Sequence, residues 1–135
     1  ELAALRQALR GKELTMPVAV DLESSNLTGM LKGDLSNLAA YHLEQIEKMG
    51  FFAQLYTYTS YANVHLDMAR LAGRWDIWLA DYTGKTPKVQ FKYNAHQHTS
   101  EGRVPGISGP VDLDVTTVNY PRIIKAKGLT RLREV

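Results

Sequence analysis

Two carboxylates end an otherwise apolar stretch near the front of the chain, Pro17-Val18-Ala19-Val20-Asp21-Leu22-Glu23. In a strand, residues two apart project to the same side, so Asp21 and Glu23 are able to share one cavity. Two acids held close disfavour each other's ionised form, and one of them then keeps its proton to a higher pH. A carboxyl that stays protonated is what a general acid requires. The same Asp-x-Glu pattern also ends ordinary solvated strands, so the pair gains weight only in company.

That company recurs along the sequence. Each apolar run acquires polar or aromatic residues at its C-terminal end: Tyr56 and Tyr58, then Trp78, Asp81 and Tyr82, then His96, Gln97 and His98, and finally Asp112 and Asp114. In parallel-sheet and barrel proteins that edge is where side chains from different strands converge into sites. Tyr56, Tyr58, Trp78 and Tyr82 offer flat faces suited to sugar rings, although singly each fits a core role as well. Asp112 and Asp114 are placed to steady a developing positive charge or, more plainly, to accept loop amides. His96 and His98 have the spacing of two strand-borne ligands, but no HExxH motif or distant third histidine accompanies them, and no metal is expected. Gly102, Gly106 and Gly109 are followed by no lysine–hydroxyl pair, so no phosphate loop and no cofactor is expected. Gly106-Ile107-Ser108-Gly109 falls short of the Gly-x-Ser-x-Gly setting of a serine nucleophile.

The elements that must hold these residues follow from pattern. Leu2, Leu5 and Leu9 recur at helical spacing up to Gly11. A strand over 18–22 leads into a polar loop over 23–33. Asp34 or Ser36 caps the clearest helix, with Leu35, Leu38, Ala39, Leu43 and Ile46 on one stripe and Gly50 closing it. A strand is expected over 51–58, a helix over 63–72 ended by Gly73, strands over 75–82 and 89–99, a turn-rich loop over 100–110, a strand over 111–115, and a helix over 120–127 begun by Pro121. This alternation argues for an α/β architecture, a sheet covered by crossover helices.

Composition sets the outer bounds. The 135 residues suffice for one domain, with 44% apolar and 22% charged residues, a globular balance. A net charge of +2 gives no reason to expect nucleic acid, and the densest basic patch, Lys125 to Arg133, also fits a solvated surface. The absence of cysteine excludes disulfides and thiol chemistry. No run approaches the length of a membrane span, and the first residues lack the apolar core of a signal peptide. The chain opens without methionine inside an expected helix, which leads us to expect upstream sequence in the parent protein.

The ordered set PVAVDLE (17–23), LYTYTS (55–60), DIWLADYTG (76–84) and HQHTSEGRVPGISGPVDLDV (96–115) resembles the glycoside hydrolase family 25 lysozymes, the Chalaropsis-type N-acetylmuramidases. The resemblance implies an irregular TIM-like (β/α) barrel of which 1–135 forms a partial catalytic domain, lacking the first three strands. It implies Glu23 as proton donor, Asp21 as the neighbouring acid, and Asp112 as the aspartate of the last strand. Tyr56, Tyr58, Trp78, Asp81, Tyr82, Gln97 and Asp114 become the substrate-binding candidates. Two positions depart from the family pattern: Asp114 stands where asparagine is usual, and His96 replaces a tryptophan. The implied reaction is hydrolysis of the β-1,4 bond from N-acetylmuramic acid to N-acetylglucosamine in bacterial peptidoglycan, in an extracellular, wall-bound or phage-released protein. The implied partner is the N-terminal half of the same domain or a second copy. The competing expectations are a non-catalytic peptidoglycan-binding or structural piece, and a barrel hydrolase of another substrate.

Overall fold

A computed structural model describes residues 1–134. Five strands, β1 (Val18–Asp21), β2 (Ala53–Tyr58), β3 (Asp76–Ala80), β4 (Ala95–Gly102) and β5 (Val111–Thr116), lie in that spatial order in one curled sheet. β1 to β4 are parallel and β5 is antiparallel to β4. With helices α1 (Leu2–Leu9), α2 (Lys32–Met49), α3 (Thr59–His65), α4 (Met68–Arg74) and α5 (Tyr120–Lys127), the sheet forms a half-barrel, an irregular TIM-like α/β barrel lacking some strands.

The sheet's two faces differ as strand alternation dictates. Leu55, Ile77 and Leu79 point outward and are at most 1% exposed, in one core with Leu35, Leu43 and Ile46 of α2. The concave face carries instead the rows Ala19–Gln54–Asp76 and Asp21–Tyr56–Trp78. β1 is an outer strand of the sheet, and among the described residues nothing pairs with its free edge.

Several expected boundaries shift. α2 starts at Lys32 after Leu31, with no side-chain cap, and Asp34 sits in its first turn where a carboxylate suits the helix dipole. Ser36 is fully buried and is no cap: its hydroxyl donates to Lys32 O (2.8 Å) and accepts from Asp67 N (2.8 Å). The helix expected over 63–72 is two helices. The chain turns extended at buried Leu66, and Asp67 caps α4 by accepting from Arg70 N, so Gly73 lies inside α4. The strand expected over 89–99 begins only at Ala95 and runs on to Gly102. Val89, Phe91 and Tyr93 alternate because an extended loop anchors every second side chain on the main core. Gly50 closes α2 as expected, with φ 104°, and Pro121 stands in the first turn of α5, which Asn119 caps.

Candidate active site

The backbone around Glu23 is fixed from both sides. Leu22 N donates to Tyr56 O (2.9 Å), continuing the β1–β2 ladder past Asp21. The buried hydroxyl of Thr57 donates to Leu22 O (2.8 Å), and Tyr61 donates to Ser24 O (3.1 Å). With the Leu22 side chain buried on the outer face, Asp21 and Glu23 are turned to the concave one. Both are exposed. Desolvation raises the Asp21 carboxyl above its ordinary value, and it raises Glu23 too, with a further contribution from the negative charge of Asp21.

A cleft of about 490 Å³ opens beside Glu23, walled by Tyr56, Tyr58, Thr59, Asp81 and Tyr82 among others. Beneath it Gln97 is almost fully buried, and its carbonyl oxygen accepts hydrogen bonds from both Tyr56 (2.6 Å) and Tyr82. Burial, reinforced by the surrounding Tyr82, Glu23 and Asp21, pushes the Tyr56 hydroxyl well above the ordinary tyrosine range, so it stays a donor. Its ring packs edge-on against Trp78 with centroids 4.6 Å apart, and the Trp78 indole donates to Asp114 (2.7 Å).

The candidates therefore fall into groups. Glu23, Tyr56, Tyr58, Asp81 and Tyr82 meet at the cleft, Gln97 supports it, and Trp78 with Asp114 extends the surface toward β5. Asp112 is exposed on β5, outside the cleft walls. Asp112 and Asp114 were expected at a strand's C-terminal end. They reach the same edge because β5 runs antiparallel, which brings its first residues beside the last of β4. Asp81 faces the cleft with both oxygens engaged, one by Thr59 (2.6 Å) and one by Thr83 through its hydroxyl (2.6 Å) and amide (3.1 Å). Desolvation raises this carboxyl, but those bonds, with His96 nearby, outweigh it and hold it below its ordinary value.

His96 and His98 do not join this group. The His96 ring donates from Nε2 to Asp81 O (2.9 Å), and the two rings lie 6.1 Å apart beside Tyr93. Among the described residues no three metal-ligating side chains cluster. Sequence reasoning missed Thr57 and Tyr61, which tie down the backbone around Glu23, and Thr59 and Thr83, which line the cleft and hold Asp81. Only Thr83 left a local trace, since Asp81-Tyr82-Thr83 has the spacing of an Asx turn.

The chain has clear relatives. A family model described as glycosyl hydrolases family 25 matches residues 4–107. The autolytic lysozyme of Clostridium acetobutylicum is 26% identical over 106 residues, covering 78% of this chain and 32% of that protein. The crystal structure of the CTP1L endolysin matches 93% of this chain and 43% of its own, with 26% identity and a TM-score of 0.71. The lysozyme of Streptomyces coelicolor superposes over 95% of this chain and 66% of its own, with 18% identity and a TM-score of 0.73, a likeness of fold alone. The chain thus spans between about a third and two thirds of the length of these relatives.

Proposed function

Because the chain belongs to the glycosyl hydrolases of family 25, we propose that it carries the acid-bearing half of a peptidoglycan-cleaving active site. The bond cleaved is the β-1,4 link from N-acetylmuramic acid to N-acetylglucosamine. The observation that carries this reading is the acid pair at the end of β1. Glu23 has its carboxyl raised by desolvation and by Asp21, beside a cleft walled by three tyrosines.

In this reading sugar rings lie against Tyr56, Tyr58 and Tyr82, and Trp78 extends the platform. Glu23 gives its proton to the glycosidic oxygen as the bond to the anomeric carbon breaks. The sugar develops oxocarbenium character, favoured by the negative field of Asp21, Asp112 and Asp114, and water then adds at the anomeric carbon to give the reducing end while its spare proton restores the acid. Gln97 acts from behind, holding two tyrosine hydroxyls, and Asp81 on the cleft wall holds the loop at Thr83. No metal or other cofactor has a role.

The free edge of β1 leaves the cleft walled from one side. We infer that the complementary wall pairs there, supplied by an N-terminal part of the same kind of domain or by a second copy of this chain. Such a protein works outside the cell or at the wall, as a host enzyme or one released by a phage.

A non-catalytic peptidoglycan-binding piece is the alternative that the same open edge favours. Wild-type protein and Glu23→Gln, incubated with insoluble peptidoglycan, separate the two. The hydrolytic reading expects new reducing N-acetylmuramic ends from the wild type, a loss of at least ~100-fold in the variant, and equal sedimentation of both with the wall. Binding without new reducing ends in either protein would establish the alternative, and cleavage undiminished by Glu23→Gln would remove Glu23 from the mechanism.

A further inference from the structure

The basic run that closes the sequence takes no part in the cleft, and it is built into the opposite edge of the half-barrel. Residues 130–134 cross beneath the sheet as a strap. Thr130 bridges Phe51 and Arg131 bridges Glu13, Leu14 N donates to Thr130 O (2.9 Å), and Arg133 N donates to Met49 O (2.7 Å). The strap presses so closely on Gly50 that a Cβ there would come within 2.3 Å of Arg131 O. Only glycine, at φ 104°, permits the approach.

A cleft of about 640 Å³ lies on one side of the strap, with Arg6, Arg10, Lys12 and Arg131 on its walls. A second of about 400 Å³ lies on the other, flanked by Lys48, Arg74, Lys127 and Arg133. These eight cations are half of the chain's 16 lysines and arginines. The same walls hold three acids, Glu134, Glu47 and Asp76, and Asp76 is already saturated by Gln54, Asn94 and Tyr120. Arg131 pairs with Glu13, and Arg74 with Glu44 and Glu47. The other six have no carboxylate within 4.0 Å among the described residues.

Favourable placement at helix C-termini accounts for Arg6, Arg10, Lys48, Arg74 and Lys127, in or just after the last turns of α1, α2, α4 and α5. Arg131 is held by Glu13, and among the described residues Lys12 and Arg133 have neither such placement nor a carboxylate partner, so the eight together leave this face with a surplus of positive charge. Guanidinium forks match phosphate oxygens, and two cationic clefts astride one rigid strap suit a chain of anions better than a single one. Of the two aromatic rings on these walls, Trp75 is buried with the Arg74 guanidinium 4.3 Å above its ring, and Phe52 is half-buried and packed edge-on against Tyr120, so neither is a free platform for a nucleobase.

We propose that this face binds a base-free polyanion of phosphodiester units, a polyol-phosphate chain. That its natural source is a wall polymer rests on the proposed wall activity; the binding itself does not. Occupation of this edge leaves the tyrosine-walled cleft at the other edge open.

The probe is purified poly(glycerol phosphate), with binding followed by fluorescence anisotropy of the whole chain. Affinity is expected to fall about tenfold or more between ~50 and ~200 mM salt. It is expected to fall about tenfold again in Arg131→Ala/Arg133→Ala, and likewise in Arg10→Glu/Lys12→Glu, whose side chains are exposed. Lys85→Glu/Lys88→Glu, away from these clefts, should change it little. An equal loss in that control would reduce the effect to net charge and overturn the site. So would undiminished binding by Arg10→Glu/Lys12→Glu, full competition by inorganic phosphate at equal phosphate concentration, or equal affinity for a DNA duplex of matched charge. Because no outcome depends on turnover, failure here leaves the hydrolytic reading standing, and the reverse also holds.

Discussion

Glu23 and Asp76 project onto the same concave face, near opposite ends of the strands, and their surroundings are opposites. Asp76 takes hydrogen bonds from Gln54 (2.7 Å), Asn94 (2.6 Å) and Tyr120 (2.6 Å), and Gln54 also donates to Tyr120. That network is closed, and the Tyr120 hydroxyl is pushed far above the tyrosine range by its burial and by Asp76. Among the described residues the Asp21 and Glu23 carboxylates accept no hydrogen bond, although the backbone between and after them is tied down at Leu22 and Ser24. The lower cluster spends its polar groups on one another and fixes the strands. The upper one fixes only the backbone and leaves its acids for a ligand, the usual division between a stable scaffold and a site held short of partners.

Exchanging the two acids' fates is the strongest way to break this contrast. Glu23→Gln is expected to lose about 10²- to 10⁴-fold in turnover, while its unfolding free energy moves by no more than about 0.5 kcal/mol, as for an exposed residue. Asp76→Ala should do the reverse. It removes the acceptor of buried Gln54 and Tyr120 and of half-buried Asn94 at a cost of roughly 2–4 kcal/mol, read in urea unfolding, with activity per folded molecule kept. A large stability loss in Glu23→Gln would mean that its carboxyl is part of the scaffold.

Thr57 tests whether tying the backbone matters apart from the carboxyls. Thr57→Val keeps the shape and removes the bond to Leu22 O. The expected stability cost is about 1 kcal/mol, with a several-fold fall in kcat that exceeds any rise in KM, because the acid is misplaced rather than lost. An unchanged kcat would show that the strand ladder alone aims Glu23.

Asp21→Asn sharpens the electrostatic side. A carboxyl whose folded-state pKa is raised holds its proton longer folded than unfolded, so its contribution to stability is most favourable below the ordinary value. It declines as pH rises through the window from that value, 3.8 for Asp21 and 4.5 for Glu23, to the raised one. Removing the Asp21 charge should flatten this decline. It should also lower the Glu23 pKa and move the alkaline limb of the pH–activity profile toward acid. A limb that stays in place would leave desolvation, already the larger cause, as the whole of the Glu23 shift.

The sequence disclosed the parts of this contrast unevenly. Asp21 and Glu23 were legible because period-two alternation puts both on one side of the chain at the end of β1, and the cores of β1, β2, β3 and β5 because their apolar residues are consecutive or alternating. The lower cluster was not: Gln54, Asp76, Asn94 and Tyr120 are far apart in the chain, and only the parallel register Gln54↔Asp76 and the return of α5 bring them together. The split at Leu66 was hidden for a related reason. Its cause is the tertiary bond from Asp67 N to Ser36, which no local pattern contains. Val89, Phe91 and Tyr93 misled in the other direction, since anchoring an extended loop and building a strand both produce alternation.

The smallest effects belong to the seam between the two clusters, where Gln97 is buried like the lower residues but serves the upper ones. Its carbonyl oxygen accepts from Tyr56 and from Tyr82, so either hydroxyl alone still satisfies it. Tyr56→Phe and Tyr82→Phe should each cost only about 0.5–1 kcal/mol in thermal or urea unfolding. The double variant leaves a buried carbonyl without a donor and should exceed the sum by roughly 1 kcal/mol. Additivity within error would mean that water reaches Gln97 once a hydroxyl is gone, placing it with the open cleft. The expected excess would place it with the closed network, and the boundary between scaffold and site would then run between Gln97 and the tyrosine rings above it.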